Sequence, residues 1–89
     1  MNNHIVALEK NLKALANRRR LAIVRLLLHR KAASVGDIAD HLKLSLAATS
    51  RHLRQLADAG ILETKQESTT INYSVCRDNE IIPVLNLTN

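Results

Sequence analysis

The sequence predicts a mainly α-helical fold in which four helices are followed by a β-hairpin and a short final helix. Apolar residues recur at spacings of three and four over the first 60 positions, which is the period of amphipathic helices. From Ile61 onward they alternate with polar residues and are rich in β-branched types, as in strands. The chain has 89 residues and a single aromatic side chain, Tyr73, so we expect one domain, residues 1–89, with an aliphatic core.

The first two helices are indicated by apolar stripes and by one capping residue. Ile5, Leu8 and Leu12 lie on one face of a helix predicted over about residues 3–16. Asn17 is a favourable N-cap, and the apolar residues that follow it predict a second, deeply packed helix.

Residues 34–59 have the pattern of two helices joined by a short turn. Ser34, followed three positions later by Asp37, predicts the start of a short third helix. Ser45 can cap a fourth helix, and Gly60 supplies the left-handed residue that ends it. The spacing therefore predicts a helix-turn-helix.

The alternating segment over about residues 61–76 predicts a β-hairpin beside this helix pair, the arrangement called a wing. The connection Glu67–Thr70 is polar and contains no glycine. We therefore expect a longer, mobile tip rather than a tight turn with a positive φ.

The chain ends in an apolar cluster that is too large for a free tail. We expect about residues 79–88, together with the first helix, to form the interface of a homodimer. Pro83 interrupts the cluster, so the last helix begins either near Asp78 with a distortion or near Ile82 as a very short helix. The candidate interface residues are Ile5, Leu8, Leu12, Ile81, Ile82, Val84, Leu85 and Leu87.

The charge of the chain is positive and unevenly distributed. Thirteen Lys and Arg against eight Asp and Glu give a formal net charge of +5. Residues 1–33 hold eight of the basic residues and only one acid, Glu9. A concentrated positive field favours a polyanionic partner such as nucleic acid.

Two strings of residues carry a resemblance to a known family. The first is LKALANRRRL at residues 12–21, and the second is LSLAATSRHLRQL at 44–56, which continues into AGIL at 59–62. Over about residues 8–77 the chain resembles the ArsR-type family of bacterial winged helix-turn-helix repressors. The resemblance implies a homodimer that binds a palindromic operator in double-stranded DNA and represses by blocking promoter access.

The fourth helix is the expected recognition helix of this pair. On a helical wheel of about 100° per residue, Thr49, Leu53 and Leu56 cluster on one face. The opposite face is small, polar and basic, which suits the major groove and also suits plain solvent exposure; the resemblance favours the groove. The candidate DNA-binding residues on this helix are Ser45, Leu46, Ala47, Ala48, Ser50, Arg51, His52, Arg54 and Gln55.

The first turn of that helix departs from the family pattern, because Leu46 and the two alanines after it replace residues that are commonly polar. We therefore expect few hydrogen bonds to bases. Leu46 or the alanines are instead candidates for contact with thymine methyl groups, and selectivity then depends more on Ser50, Arg51 and DNA shape.

Further DNA contacts are expected from the second helix and the wing. Arg18, Arg19 and Arg20 place three cations in a first helical turn, where they oppose the helix dipole. We expect Arg18 and Arg19 to contact phosphates and Arg20 to form an ion pair with an acid elsewhere in the fold. The candidate wing contacts are Lys65, Gln66, Ser68 and Thr69.

The residue types at the family's two usual metal sites are missing. The resemblance implies a Cys-x-Cys pair in the third helix or Asp and His ligands in the last one. This chain has Ser34 and Gly36 at the first place, and acids without histidine at the second. Asp37 and His41 share a helix face but are only two ligands, so we expect neither a metal nor another cofactor.

The sequence also argues against several other classes of protein. Catalysis lacks a Ser-His-Asp set, a carboxylate pair and a glycine-rich phosphate loop, so we expect no enzyme. No apolar run approaches the roughly 20 residues of a membrane span, and the lone Cys76, which we expect to be buried and inert, fits a reducing cytoplasm. Two alternatives stay open: a winged helix that binds another protein, and a repressor with an atypical metal or redox sensor.

Overall fold

The computed structural model describes residues 2–86 and places the predicted helices and hairpin in the expected order. One short strand, absent from the sequence prediction, is inserted before the third helix. The elements are α1 (Asn3–Leu15), α2 (Arg18–Leu28), β1 (Ala33–Ser34), α3 (Val35–Leu42), α4 (Leu46–Asp58), β2 (Leu62–Glu67), β3 (Thr70–Val75) and α5 (Ile82–Asn86).

Side-chain caps begin the helices where the sequence predicts them. Asn17 accepts hydrogen bonds from the first backbone amides of α2, at 3.0 and 3.1 Å. Ser34 caps α3 through the amide of Asp37 at 3.2 Å, and Ser45 caps α4 through the amide of Ala48 at 3.1 Å. Each cap satisfies amides that have no partner within the helix, which confirms the predicted helix starts.

Left-handed residues end the two central helices. Gly60, which follows the C-cap residue Ala59 of α4, has a φ of 79°, as predicted. Lys43, the C-cap of α3, also has a positive φ of 57°. This turn redirects the chain from α3 into α4.

The wing belongs to a three-stranded antiparallel sheet with the order β1-β3-β2. Tyr73 on the central strand pairs with Ala33 of β1 on one side and with Thr64 of β2 on the other. The register attaches the hairpin to the chain that leads into α3. Because β1 is only two residues long, no alternation of residue types could have predicted it.

The prediction of a longer hairpin tip in place of a tight turn with a positive φ is wrong. Glu67 pairs with Thr70, so the connection is only Ser68 and Thr69, and Ser68 adopts a positive φ of 59°. That conformation costs a non-glycine residue about 1–2 kcal/mol. The uninterrupted ladder of the two strands offsets this cost.

Aliphatic side chains from the helices and the base of the sheet form one core. The fully buried members include Ile23, Leu27, Ile38, Leu53, Leu56 and Ile61. The sequence prediction of an aliphatic core between helices is confirmed, with Tyr73 as its aromatic member.

The C-terminal segment resolves the two alternatives around Pro83. Helix α5 begins at Ile82 and is short, with the proline in its first turn, where its missing amide hydrogen is tolerated. Ile81 and Ile82 are only 4% and 2% exposed in the single chain. Their expected place in a dimer interface is therefore corrected: they pack in the protomer's own core, and Val84 is the exposed member of the cluster. Leu87 lies outside the described residues.

Candidate nucleic-acid interface

Helix α4 is fixed in the fold by the face that the helical wheel predicts. Thr49, Leu53 and Leu56 are each 0% exposed. The hydroxyl of Thr49 is satisfied inside the core, since its Oγ1 donates to the carbonyl oxygen of Ser45 at 2.8 Å. The opposite face of the helix is consequently held toward solvent.

The polar side chains of that outward face are largely engaged within the protein. Arg54 Nη1 donates to Ser50 Oγ at 2.9 Å, and Ser45 Oγ is occupied by its cap. Gln55 Oε1 accepts from a guanidinium nitrogen of Arg20. Among the described residues, Arg51 is exposed and has no partner.

His52 marks the place where the N-terminus of α2 meets α4. Burial, followed by repulsion from Arg20, Arg19 and Arg51, lowers the pKa of this imidazole below 6.5. Its Nδ1 is buried without a hydrogen-bond partner in the described chain. His52 is therefore mainly neutral at pH 7, and the charges that lower its pKa come from two helices, α2 and α4.

Arg20 is a link between helices and does not form the expected ion pair. Its Nε donates to the carbonyl oxygen of Ala14 at 2.6 Å, and a second nitrogen donates to Gln55. Ala14 lies in the last turn of α1, where carbonyl groups lack partners within the helix and carry partial negative charge. These carbonyls, rather than a carboxylate, compensate the cation, which corrects the sequence prediction.

The side chains of Arg18 and Arg19 are exposed and have no hydrogen-bond or ion-pair partner among residues 2–86. The charge of Arg19 contributes to the lowered pKa of His52 on α4. Arg18 is the first residue of α2 and also lines a groove toward Leu85. Their expected phosphate contacts remain a prediction.

The wing candidates divide between two faces of the hairpin. Lys65 pairs with Asn72, and successive strand residues point to opposite sides, so Lys65 and Gln66 face apart. Gln66 Nε2 donates to the carbonyl oxygen of Ser68 at 3.3 Å, which attaches it to the turn. Lys65, Gln66, Ser68 and Thr69 are all exposed.

One polar pair escaped the sequence analysis. Asn11 is 4% exposed on α1 and exchanges amide hydrogen bonds with Asn79, which precedes α5. Asn11 lies three residues after Leu8 and four before Leu15, on the apolar stripe of the first helix. This spacing could have indicated that Asn11 is buried.

A helix-turn-helix domain family matches residues 15–65, which is more than half of the chain. The transcriptional activator HlyU of Vibrio cholerae is 42% identical over 64 residues, covering 72% of this chain and 58% of that relative. These matches indicate the same winged helix-turn-helix fold that the structure shows. The chain belongs to the ArsR-type winged helix-turn-helix family of DNA-binding transcription regulators.

Solved ArsR-type structures superpose on nearly the whole chain. HlyU from Vibrio cholerae has a TM-score of 0.88 at 34% identity, covering 99% of this chain and 94% of that one. The transcriptional repressor PagR of Bacillus anthracis has a TM-score of 0.86 at 29% identity and covers 97% of each chain. The homodimeric winged helix-turn-helix DNA-binding domain of Mb0332 from Mycobacterium bovis reaches 0.84 at 28% identity, over 94% of this chain and 76% of that one.

Two of the residues weighed as metal ligands have other contacts. Ser34, at a place where the resemblance implies a ligand, is the cap of α3. His41, which shares a helix face with Asp37, has its Nδ1 3.3 Å from a guanidinium nitrogen of Arg30. Within residues 2–86, three or more His, Cys, Asp or Glu side chains are nowhere grouped as metal ligands, and no helix is long and apolar enough to cross a membrane. Cys76 is half-buried rather than buried as expected.

Proposed function

We propose that the chain is a homodimeric transcriptional repressor that binds a palindromic site in double-stranded DNA and lies in the cytoplasm. One observation carries the proposal: the buried face of α4 holds its opposite face toward solvent with Arg51 exposed on it, and Arg20 of α2 is hydrogen-bonded to Gln55 of the same helix. A helix presented in this way fits the major groove, and the neighbouring cations suit the flanking phosphates.

Each protomer contributes one recognition helix, and a palindrome requires two. Exposed apolar residues that can join two protomers are Ile5 and Leu12 on α1, and Val84 on α5, at 49%, 52% and 53% exposure. The homodimeric Mb0332 domain supports this arrangement. The transcriptional repressor PagR supports repression, whereas HlyU of Vibrio cholerae is a transcriptional activator.

The two guanidinium groups on α4 provide the decisive experiment. A duplex is first selected from random sequences with the wild-type protein, and its dissociation constant is measured by fluorescence anisotropy. Arg51→Glu/Arg54→Glu should weaken binding by at least about tenfold, because two attractive contacts become repulsive. Unaltered binding overturns the proposal.

A charge-matched control separates docking from a general loss of positive field. Lys10→Glu/Arg25→Glu changes the net charge by the same amount on α1 and α2, outside the proposed groove contacts. We expect a much smaller loss from it, with the dimer mass checked by light scattering. Wild-type binding should also weaken steeply as salt rises, because phosphate contacts release counterions.

The competing function is a winged helix that binds another protein. In that case no duplex is selected with the wild-type protein. Any retardation of DNA in a gel is then the same for the wild type and for Arg51→Glu/Arg54→Glu. The same two variants therefore decide between the two functions.

The proposed repressor does not use the ArsR-type metal positions, because Ser34 and Gly36 replace the ligands of one. The test is titration of the protein–DNA complex with zinc, cadmium, oxidant and reductant. Release of DNA by a metal points instead to an atypical sensor, and release by oxidant points to Cys76, which a Cys76→Ser variant checks.

A further inference from the structure

We propose that Leu46 contacts the 5-methyl groups of thymines, so that apolar contact supplies the sequence preference at the N-terminal end of α4. This inference rests on the proposed function and specifies what the recognition helix prefers. Methyl recognition predicts which bases are preferred at individual positions of the site, whereas DNA binding alone predicts no such preference.

Leu46 is an unusual residue for its place. It is the first residue of α4 and is 62% exposed, more than any other large apolar side chain in the described residues. The cap requires Ser45 alone, and the core is built from the opposite face of the helix, so neither explains the leucine. A single exposed leucine is ordinary on a protein surface. Its place carries the argument here, because the N-terminal residues of a recognition helix are the ones that reach base edges.

The competing hydrogen-bonding groups of the helix are already engaged. Ser45, Ser50 and Gln55 each have an intramolecular partner, as described above. In each bond the side-chain oxygen is the acceptor, so accepting from a base competes with these bonds, while the hydroxyl and amide hydrogens can still donate. In the first turn of α4, Leu46 is the largest exposed side chain, and Arg51 follows about one and a half turns later.

The neighbours of Leu46 allow close approach to the bases. Ala47 and Ala48 are small, so the backbone of the first turn can enter the groove without a steric clash. In the major groove only thymine presents a methyl group. Leucine at this position therefore favours thymine over cytosine.

Replacement of thymine by uracil removes this methyl group and leaves base pairing intact. Each thymine of the selected duplex is replaced by deoxyuridine at symmetric positions, and dissociation constants are measured by fluorescence anisotropy. We expect one or two positions where wild-type affinity falls about fourfold per half-site, the effect of one buried methyl. At a sensitive position, cytosine should bind more weakly than thymine, and 5-methylcytosine should recover part of the loss.

Leu46→Ala should bind the thymine duplex more weakly and should no longer distinguish it from the uracil duplex. Val6→Ala is the matched control, because Val6 is 50% exposed on α1 and far from the recognition helix in sequence. It should retain the full uracil effect. Circular dichroism should show unchanged helix content for both variants, since each side chain is exposed.

The outcomes separate this inference from the function on which it rests. If a duplex is selected but no uracil substitution weakens the wild type by twofold, or Leu46→Ala keeps the same preference, methyl recognition is wrong and DNA binding stands. If no duplex is selected at all, both proposals fail together.

Discussion

Asn11 and Asn79 exchange two hydrogen bonds across 68 positions of sequence. Asn11 Nδ2 donates to Asn79 Oδ1 at 3.2 Å, and Asn79 Nδ2 donates to Asn11 Oδ1 at 3.0 Å. The same Asn79 amide donates to the carbonyl of Gly60 at 3.0 Å, and its oxygen accepts from the Ile81 amide at 2.9 Å. This pair joins α1 to the glycine that follows α4 and to the start of α5.

Asn11→Ala should therefore destabilise the protein. The substitution removes both hydrogen bonds of the pair and leaves the half-buried Asn79 amide with Gly60 and Ile81 alone, and the loss of two hydrogen bonds costs about 1–3 kcal/mol of unfolding free energy. Urea unfolding at a fixed protomer concentration measures the effect, since dimerisation contributes to apparent stability. Asn3→Ala, an exposed position on the same helix, should change it by less than about 0.5 kcal/mol, and an equal loss there contradicts the special role of Asn11.

Arg20 and Arg19 are adjacent but should behave in opposite ways. Arg20→Ala removes the bonds to Ala14 and Gln55 and should lower the unfolding free energy by about 1–2 kcal/mol. Arg19→Ala removes an unpartnered exposed cation, so stability should change by less than about 0.5 kcal/mol. In DNA binding, however, Arg19→Ala should reduce the slope of log affinity against log salt by about 1. Denaturation and salt-dependent anisotropy on both variants check the contrast, and identical stability losses contradict it.

His52 should make stability depend on pH. Its pKa is lower in the folded protein than the 6.5 of a free imidazole, so the unfolded chain binds more protons below pH 6.5. The stabilising contribution is therefore complete above pH 6.5 and is lost as the pH falls below that value. Urea unfolding between pH 7.5 and 5 measures this loss, and His52→Gln should flatten the profile.

NMR titration gives the same shift directly, as a His52 imidazole signal that titrates below pH 6.5. Phosphates of bound DNA should weaken the repulsion from Arg19, Arg20 and Arg51 and move this pKa upward. A pKa unchanged by DNA places the phosphates elsewhere.

The elements that could be predicted from the sequence are those whose signals are local. Asn17, Ser34 and Ser45 cap helices through amides at most three residues away, and the buried face of α4 follows from its period alone. The family strings added the expectation that this helix contacts DNA. These parts of the fold and of the candidate site required no knowledge of distant contacts.

The features that the sequence analysis missed depend on contacts between distant segments. The partner of Arg20 is a backbone carbonyl at the end of another helix, and no residue type marks it. Ile81 and Val84 belong to one apolar cluster in the sequence, but only packing assigns the first to the core and the second to the surface. Strand β1 exists because β3 lies beside it.

Ser68 offers a direct test of the tight wing turn. Its positive φ favours glycine, so Ser68→Gly should raise the unfolding free energy by up to about 1 kcal/mol, less the entropy that glycine adds to the unfolded chain. Thr69 does not have a positive φ, so Thr69→Gly should give no gain. Thermal or urea unfolding distinguishes the two, and a loss from Ser68→Gly contradicts the turn geometry.

The dimer interface requires variants that leave the core intact. Deleting residues 81–89 would remove Ile81 and Ile82 from the protomer's core, so it would confuse unfolding with dissociation. Leu12→Glu and Val84→Glu place a charge on exposed surface instead, which the monomer tolerates and a buried interface does not. We expect each to convert the dimer to a monomer by light scattering, with helix content retained.

Leu46→Glu is the control for this experiment. It introduces the same charge at an even more exposed leucine, but on the recognition helix, so it should remain dimeric while losing DNA binding. Both α1 and α5 variants should lose affinity for a palindrome and bind a single half-site about as weakly as the wild type does, because one protomer then reaches only one recognition site. A dimer that persists in both Leu12→Glu and Val84→Glu places the interface on another surface.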